Sequence, residues 1–246
     1  MKPIILIILA VLTAAAEIKA ISAEEILSKV DRNVVTSSIR YKAKLDISIS
    51  GKVMSKQFQG YSTGNDKAYM EFTSPSSDSG KRFLRVKDTF WMYLPSVGKA
   101  TKLSGAATRS SLMGSDFSYD DAIENEKLSD LYFVTLEKEE KVNGSPCYVI
   151  KLTLKPDKSA SYFIRKIWVD KSNFSYLKAE FYSKSMTLLK TVQVLEFKQI
   201  GAQYYPTHIK MENKLRKDTW TEFKLTDVQI GASIPAEVFT VKYLER

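Results

Sequence analysis

Few residues in this chain have side chains suited to catalysis or metal binding. Among 246 residues there is one histidine, His208, and one cysteine, Cys147. A single cysteine cannot form an intramolecular disulfide or a thiolate metal cluster, and a single histidine excludes histidine-rich metal sites. No segment matches a nucleophile elbow, a phosphate-binding loop, a zinc-protease helix or a dinucleotide fingerprint. We therefore predict no catalytic residue, no metal site and no cofactor, and the composition argues against an enzyme.

Three closely spaced carboxylates are the remaining candidates for chemistry. Asp116, Asp120 and Asp121 could hold a cation or form an acid–base pair. Adjacent residues point to different faces of an element, however, and aspartate is common at helix starts, where it caps backbone N–H groups. His208 and Cys147 lie in strand-like runs, where an isolated residue is more often structural. We interpret all five residues as structural.

Hydrophobic periodicity predicts the elements of the fold. Ser22 and Glu25 have the spacing of a capping box, and a helix of roughly 12 residues with one apolar stripe follows. Over residues 39–49 the period changes to two, with apolar residues at the odd positions and mostly charged ones between. Further strand-like runs cover 53–61, 67–72, 81–87, 90–94, 133–142, 147–154, 162–169, 174–182, 187–197, 205–211 and 219–230.

These runs predict a mainly β protein. About a dozen evenly spaced strands are expected to form a large antiparallel sheet that curls or closes. The alternation of apolar and polar residues buries one face of the sheet and leaves the other exposed to solvent. Asn143 and Gly144 are the strongest hairpin signal. No break in composition suggests a second domain, so residues 21–246 are predicted to form a single domain.

One segment departs from the strand pattern. Residues 96–130 are rich in Ser, Gly, Ala and charge, with isolated apolar residues such as Phe117 and Tyr119. Connections of this length inside a compact sheet are usually functional or mobile. The segment is either a lid of helix and loop that carries apolar side chains over the sheet, or an ordered excursion that fills the core. We favour the lid.

The first 20 residues have the pattern of a signal peptide. Lys2 precedes a nearly unbroken apolar run at 4–16, which is too short to cross a bilayer, and Ala20 is an acceptable cleavage site. An uncleaved anchor is the alternative. No cysteine lies near the cleavage point, so the chain is not itself lipidated there. We predict an exported protein.

The net charge of +9 has two interpretations. A basic exported protein is attracted to anionic membrane surfaces, but a lysine-rich surface can also serve solubility alone. Nucleic acid is not expected as a partner, because export separates the protein from it and no basic run stands out.

Several segments resemble motifs of one protein family. Residues 113–121 read MGSDFSYDD, and residues 91–95 read WMYLP, with the basic residues Lys99 and Lys102 following. In this order they resemble the LolA-like outer-membrane lipoprotein-sorting proteins. The other segments that carry the resemblance are KIWVD at 166–170, LKAE at 177–180, YPT at 205–207, IKME at 209–212 and IP…VFT within 234–240.

The resemblance implies a fold and a function. The fold is a single curved antiparallel sheet that forms an unclosed β-barrel, with an N-terminal helix and with helices or loops over its concave side. Members carry or bind lipid-modified proteins or lipids across the periplasm. The expected cargo is therefore an acylated lipoprotein or a phospholipid, loaded by an inner-membrane ABC-type transporter and passed to an outer-membrane acceptor by a monomeric carrier. Related folds serve as envelope-stress sensors, so a protein-binding sensor or adhesin is the alternative.

A carrier needs an apolar cavity, and the strand runs supply candidate residues to line it. Which face of each strand points inward is not determined by the sequence, because a one-residue slip inverts the set. Replacing Trp91 by Asp is expected to abolish lipid binding if Trp91 lines the cavity. The candidate lining residues are Tyr41, Leu45, Ile47, Met70, Phe72, Leu84, Trp91 and Tyr93, with Phe117 and Tyr119 on the cover. The candidate polar rim consists of Lys99, Lys102 and Arg109, which could meet lipid phosphates or an acidic partner.

Overall fold

The computed structural model describes residues 20–64, 66–123 and 126–246. The predicted signal peptide lies outside the described residues except for its last one, Ala20. Within the described ranges, no helix combines the length and hydropathy needed to cross a bilayer.

The first element is the predicted helix, α1 (Ala23–Val34). Its N-cap is Ser22, whose hydroxyl oxygen accepts a hydrogen bond from the backbone N–H of Glu25 at 3.1 Å. Ile26, Leu27 and Val30 form the buried stripe. The capping box and the helical spacing are both confirmed.

Thirteen strands follow in the described ranges, and every predicted run corresponds to one of them. They are β1 (Ser38–Ile49), β2 (Lys52–Thr63), β3 (Lys67–Ser74), β4 (Arg82–Val86), β5 (Thr89–Leu94), β6 (Lys99–Leu103), β7 (Tyr132–Val142), β8 (Ser145–Leu154), β9 (Ile164–Asp170), β10 (Tyr176–Tyr182), β11 (Leu188–Ile200), β12 (Gln203–Asn213) and β13 (Thr219–Ile230). The periodicity missed β6, because its sequence KATKL has no apolar alternation and it lies at an edge, paired only with β5.

All strands belong to one antiparallel sheet in the order β6-β5-β4-β3-β2-β1-β13-β12-β11-β10-β9-β8-β7. Every strand is paired with its neighbours in sequence except that β6 and β7 are apart, and the long-range pairing of β1 with β13 joins the two halves. The two edges, β6 and β7, are not paired with each other, so the barrel is unclosed as predicted.

One face of the sheet curls around the main core. Phe83 on β4 and Ile150 on β8 come from opposite halves of the sheet, yet both belong to one cluster of buried side chains with Leu27 of α1. We call this the concave face. On the convex face, a 3-10 helix (Ala236–Phe239) and α4 (Val241–Leu244) near the C-terminus cover a second, smaller cluster around Tyr69.

Candidate functional site

The concave face is covered by residues 104–131, which we call the cover. This segment links β6 to β7 and therefore has to cross from one edge of the sheet to the other. It contains a 3-10 helix (Gly105–Ala107), α2 (Tyr119–Ile123) and α3 (Leu128–Leu131). Leu112 and Phe117 are 2% and 6% exposed and belong to the main core. In this conformation the apolar side chains of the cover pack into the main core, so the cover is closed against the sheet.

A buried carboxylate fastens the middle of the cover to β13. Asp116 accepts hydrogen bonds from the hydroxyls of Thr219 at 2.8 Å and Thr221 at 3.0 Å. Its own backbone N–H donates to the Thr221 hydroxyl oxygen at 2.9 Å. Asp116 and Thr221 are almost fully buried, so this polar contact is satisfied within the protein, as a buried polar group requires.

A second buried carboxylate fastens α2 to β11. The ammonium of Lys190 lies 2.6 Å from Asp121, and the hydroxyl of Tyr162 donates to Asp121 at 2.7 Å. The backbone N–H of Ser118 also donates to Asp121, which caps α2 as predicted. Burial raises the pKa of Asp121, but Lys190 and these hydrogen bonds outweigh burial, so its pKa lies below the ordinary value.

This lowered pKa predicts how the cover responds to acid. The pKa of an aspartate in an unfolded chain is about 3.9. The ionised Asp121 carboxylate therefore makes its full contribution to the free energy of unfolding above about pH 4. That contribution is lost as the pH falls through the lower pKa of the folded state. We expect urea unfolding of the wild type and of Asp121→Asn to converge in stability only below about pH 4. A constant difference down to about pH 2 would contradict this role for the carboxylate.

An apolar cavity of about 210 Å³ remains between the cover and the sheet. Phe117 and Ala122 of the cover line one side, and Tyr41, Leu45 and Phe223 of the sheet line the other. A second lobe of about 190 Å³ shares several of these residues and extends towards β9 and β10. The lining residues that the two lobes share are Val34, Phe117, Asp121, Tyr176 and Ile209.

The cavity reaches a seam in the sheet. β12 and β13 pair over only four residues each, from His208 opposite Lys224 to Met211 opposite Thr221. Beyond that ladder, Tyr205 of β12 and Leu225 of β13 both line the cavity. At the seam the cavity is therefore bordered by parts of β12 and β13 that no ladder hydrogen bond joins within the described residues.

Two tyrosines set the polarity of the cavity near the seam. Burial raises the pKa of Tyr205 to about 12. Burial, with a smaller contribution from Tyr205, raises the pKa of Tyr41 as well. Both phenols are therefore neutral at physiological pH, and the polar residues other than tyrosine that line this lobe are Ser62 and Asp121.

Gly60 provides the space that the Tyr41 ring occupies. A Cβ atom at Gly60 would lie 2.3 Å from Cζ of Tyr41 and 2.4 Å from its hydroxyl oxygen. We expect Gly60→Ala to displace the ring and to lower the free energy of unfolding by about 1–3 kcal/mol, measured by urea denaturation. In a Tyr41→Leu background the same change should cost much less, and an equal cost in both backgrounds would contradict the contact.

The structure brings together most of the predicted lining residues. Tyr41, Leu45 and Phe117 line the cavity. Ile47, Met70 and Phe72 are buried in the same cluster but do not reach its walls. Tyr119 is half-buried against that core, with its ring centroid 5.1 Å from that of Phe83.

Leu84, Trp91 and Tyr93 lie on the opposite face. They pack with the C-terminal segment in the convex cluster. The residues of these strands that face the main core are instead Phe83, Phe90 and Met92. Residues 90–94 are apolar at every position, and side chains on both faces of β5 are partly buried against protein. Trp91→Asp is therefore no longer expected to remove cavity binding directly.

Two of the three predicted rim cations lie together. Lys102 and Arg109 line a polar depression of about 480 Å³ beside β6, with Arg85 and Glu126, whose side chains are 2.5 Å apart. Lys99 is exposed on β6 and lies outside that depression.

The list of lining residues drawn from the sequence omitted residues on α1, on the cover and on six strands. The run at 219–230 was predicted as a strand, and its alternation could have suggested Phe223 and Leu225. The cover residues had no periodic signal. The omitted lining residues include Leu112, Ala122, Tyr176, Tyr205, Ile209, Phe223 and Leu225.

The remaining candidates for chemistry lie apart from the cavity. His208 contacts Glu222 at 2.9 Å and Glu196 at 3.6 Å, beside strand residues rather than in a cleft. Cys147 is buried with Val149 in a small cluster. No group of three metal-ligating side chains occurs in the described part of the chain.

The unclosed sheet with an N-terminal helix and a packed cover is the LolA-like fold, and solved structures share it. A LolA superfamily protein from Nitrosomonas europaea is 28% identical with a TM-score of 0.77, covering 91% of this chain and 100% of that one. A DUF1329 family protein from Desulfovibrio piger is 25% identical with a TM-score of 0.83, covering 90% and 97%. A Vibrio parahaemolyticus domain described as outer membrane lipoprotein-sorting is 23% identical with a TM-score of 0.81, covering 91% and 98%.

The comparison of sequences places the chain in a family. A family model described as "-like: Uncharacterized protein" matches residues 64–246, and the chain belongs to that family. No curated protein matches the chain.

Proposed function

We propose that this protein is a periplasmic carrier that shelters an acyl chain of a lipoprotein or phospholipid in the cavity beneath the cover. The observation that carries the proposal is the apolar space between the cover and the sheet, lined by Phe117 and Ala122 on one side and by Tyr41 and Leu45 on the other. The LolA superfamily likeness, at 28% identity over nearly the whole chain, supports the same class of function.

The energetics of an acyl chain require such a shelter. Transfer from a bilayer into water costs about 0.8 kcal/mol per CH₂, so a chain of roughly 15 methylenes costs about 12 kcal/mol. An exposed patch cannot compensate for that cost, whereas an enclosed apolar cavity can. Even with such a cavity, the free-energy change for moving the chain from the membrane into the protein is near zero at best. Loading is therefore expected to need an energised inner-membrane partner.

The size of the cavity adds a condition. Ligand pockets usually measure about 300–1,000 Å³, and the larger lobe here measures about 210 Å³. A full acyl chain therefore needs both lobes, or a shift of the cover away from β13 and β11. The contacts of Asp116 and Asp121 would then hold the empty conformation closed.

The cellular setting of the proposal rests on the signal-peptide pattern and on the resemblance to LolA-like proteins. Residues 1–20 would direct export and be removed, leaving a monomeric carrier in the periplasm. An ABC-type transporter would load it, and an acceptor at the outer membrane would receive the cargo. No part of this scheme uses catalysis.

Native mass spectrometry of the protein purified from its envelope without detergent tests the proposal. We expect stoichiometric acyl lipid or acylated peptide to be released on extraction. A clean apo mass that takes up no added lipid or lipopeptide would contradict it and would favour a protein-binding sensor with a filled core.

A further inference from the structure

Three neighbouring hairpins end together at one end of the sheet. The strands β2, β1, β13, β12, β11 and β10 are consecutive in the sheet. The register pairs Ile49 with both Lys52 and Thr219, and Lys190 with Asn213. The β1–β2, β12–β13 and β10–β11 turns therefore lie side by side. We call residues 50–54, 183–187 and 214–218 the tip surface.

The tip surface carries a concentration of exposed apolar side chains. Leu215 is 67% exposed, Met186 54%, Val53 54% and Met54 48%. Single exposed apolar residues are ordinary, but these four lie together at one end of the sheet, Leu215 and Met186 in turns and Val53 and Met54 at the start of β2. The backbone of Met186 has φ 63°, a conformation that residues other than Gly and Asn rarely adopt.

The charges of the tip surface are nearly all positive. It contains Lys52, Lys184, Lys214, Arg216 and Lys217, with Asp218 as its one acidic residue. Lys214 pairs with Glu212, and Arg216 lies 3.8 Å from Asp116. Lys52, Lys184 and Lys217 form no ion pair with any carboxylate in the described ranges.

None of the strongly exposed large apolar side chains of the described residues lies in the turns at the opposite end of the same strands. There the β11–β12 turn consists of Gly201 and Ala202, with no cation and no large apolar side chain. The asymmetry indicates that the tip surface is specialised rather than a general consequence of a basic chain.

We infer that the tip surface docks on an anionic lipid bilayer. Apolar side chains at the tips can reach the boundary between headgroups and acyl chains, while the lysines contact anionic headgroups. Exposed apolar side chains in the same turns as lysines without an ion pair are complementary to such a surface. The inference goes beyond the proposed cargo, because docking involves no residue of the cavity.

Vesicle flotation with the purified protein tests the inference. The probes are vesicles of phosphatidylethanolamine with phosphatidylglycerol, and vesicles of phosphatidylcholine alone. We expect binding to the anionic vesicles only, weakening as salt is added. Lys184→Gln with Lys217→Gln should weaken binding at low salt by about fivefold for each cation, and Met186→Ser with Leu215→Ser by about tenfold in total.

Matched variants place the effect on the tip surface. Lys141→Gln with Lys198→Gln, and Leu136→Ser with Leu195→Ser, alter exposed residues elsewhere on the sheet. They should change binding by less than about twofold, which is below the effect of one well-placed cation. Equal losses in the matched and tip variants, or no binding to either vesicle, would overturn the inference. The variant Ala122→Trp, which fills the cavity, separates docking from cargo binding. Loss of vesicle binding in this variant would also overturn the inference.

Discussion

Replacing Ala122 by tryptophan is expected to abolish acyl-chain binding while the protein remains folded. Ala122 lies on α2 and lines the cavity opposite the sheet. An indole at this position would fill space that is only about 210 Å³ in the wild type. Overpacking costs about 1–3 kcal/mol, which is less than the total stability of a typical domain, about 5–15 kcal/mol.

The measurement is displacement of a fluorescent fatty acid, with thermal unfolding as the check on folding. Ala106→Trp is the matched control, because Ala106 is exposed in the 3-10 helix of the same cover. Ala68→Leu narrows the cavity from the sheet side, so it repeats the test without altering the cover. Wild-type affinity in a folded Ala122→Trp would show that the ligand binds elsewhere.

Replacing Lys190 by methionine should have the largest effect on stability. It leaves the Asp121 carboxylate buried without its counter-ion, and the two side chains are only 12% and 6% exposed. Removing one partner of a buried pair typically costs about 3–5 kcal/mol. Because Asp121 belongs to α2, we expect the cover to loosen first and hydrogen exchange of residues 104–131 to accelerate.

Two further variants show whether the buried pair itself is responsible. Lys224→Met breaks an exposed pair with Glu196 and should cost less than about 1 kcal/mol. Adding Asp121→Asn to Lys190→Met removes the unpaired charge and should recover much of the lost stability. If hydrogen exchange of the cover in Lys190→Met stays at the wild-type rate, this pair does not hold the cover closed.

The local elements could be predicted from the sequence because short-range chemistry determines them. The cap at Ser22, the alternation of residues 39–49 and the turn at Asn143 each depend on neighbours in the chain. The capping role of Asp121 is of the same kind, since Ser118 lies only three residues away.

The site could be predicted only in part because it depends on long-range contacts. The carboxylates of Asp121 and Asp116 also accept hydrogen bonds from Lys190 and Thr221, respectively. Neither donor could be identified from its spacing along the chain. The inward face of β5 was ambiguous because residues near the C-terminus cover its convex side. The sequence also left open whether residues 96–130 form a lid or fill the core, because the long-range contacts of this segment decide between the two. In this conformation the cover does fill the core, and its opening belongs to the proposal.

Photo-crosslinking with a fatty acid that carries a diazirine near the end of its chain tests the central claim most directly. The claim is that the acyl chain lies on the concave face, between the cover and the sheet. After illumination and proteolysis, we expect labelled peptides containing Tyr41, Phe117 or Phe223, and no label at Trp91 or Tyr93 of the convex face. Labelling confined to the convex face, or spread evenly over the surface, would contradict the claim.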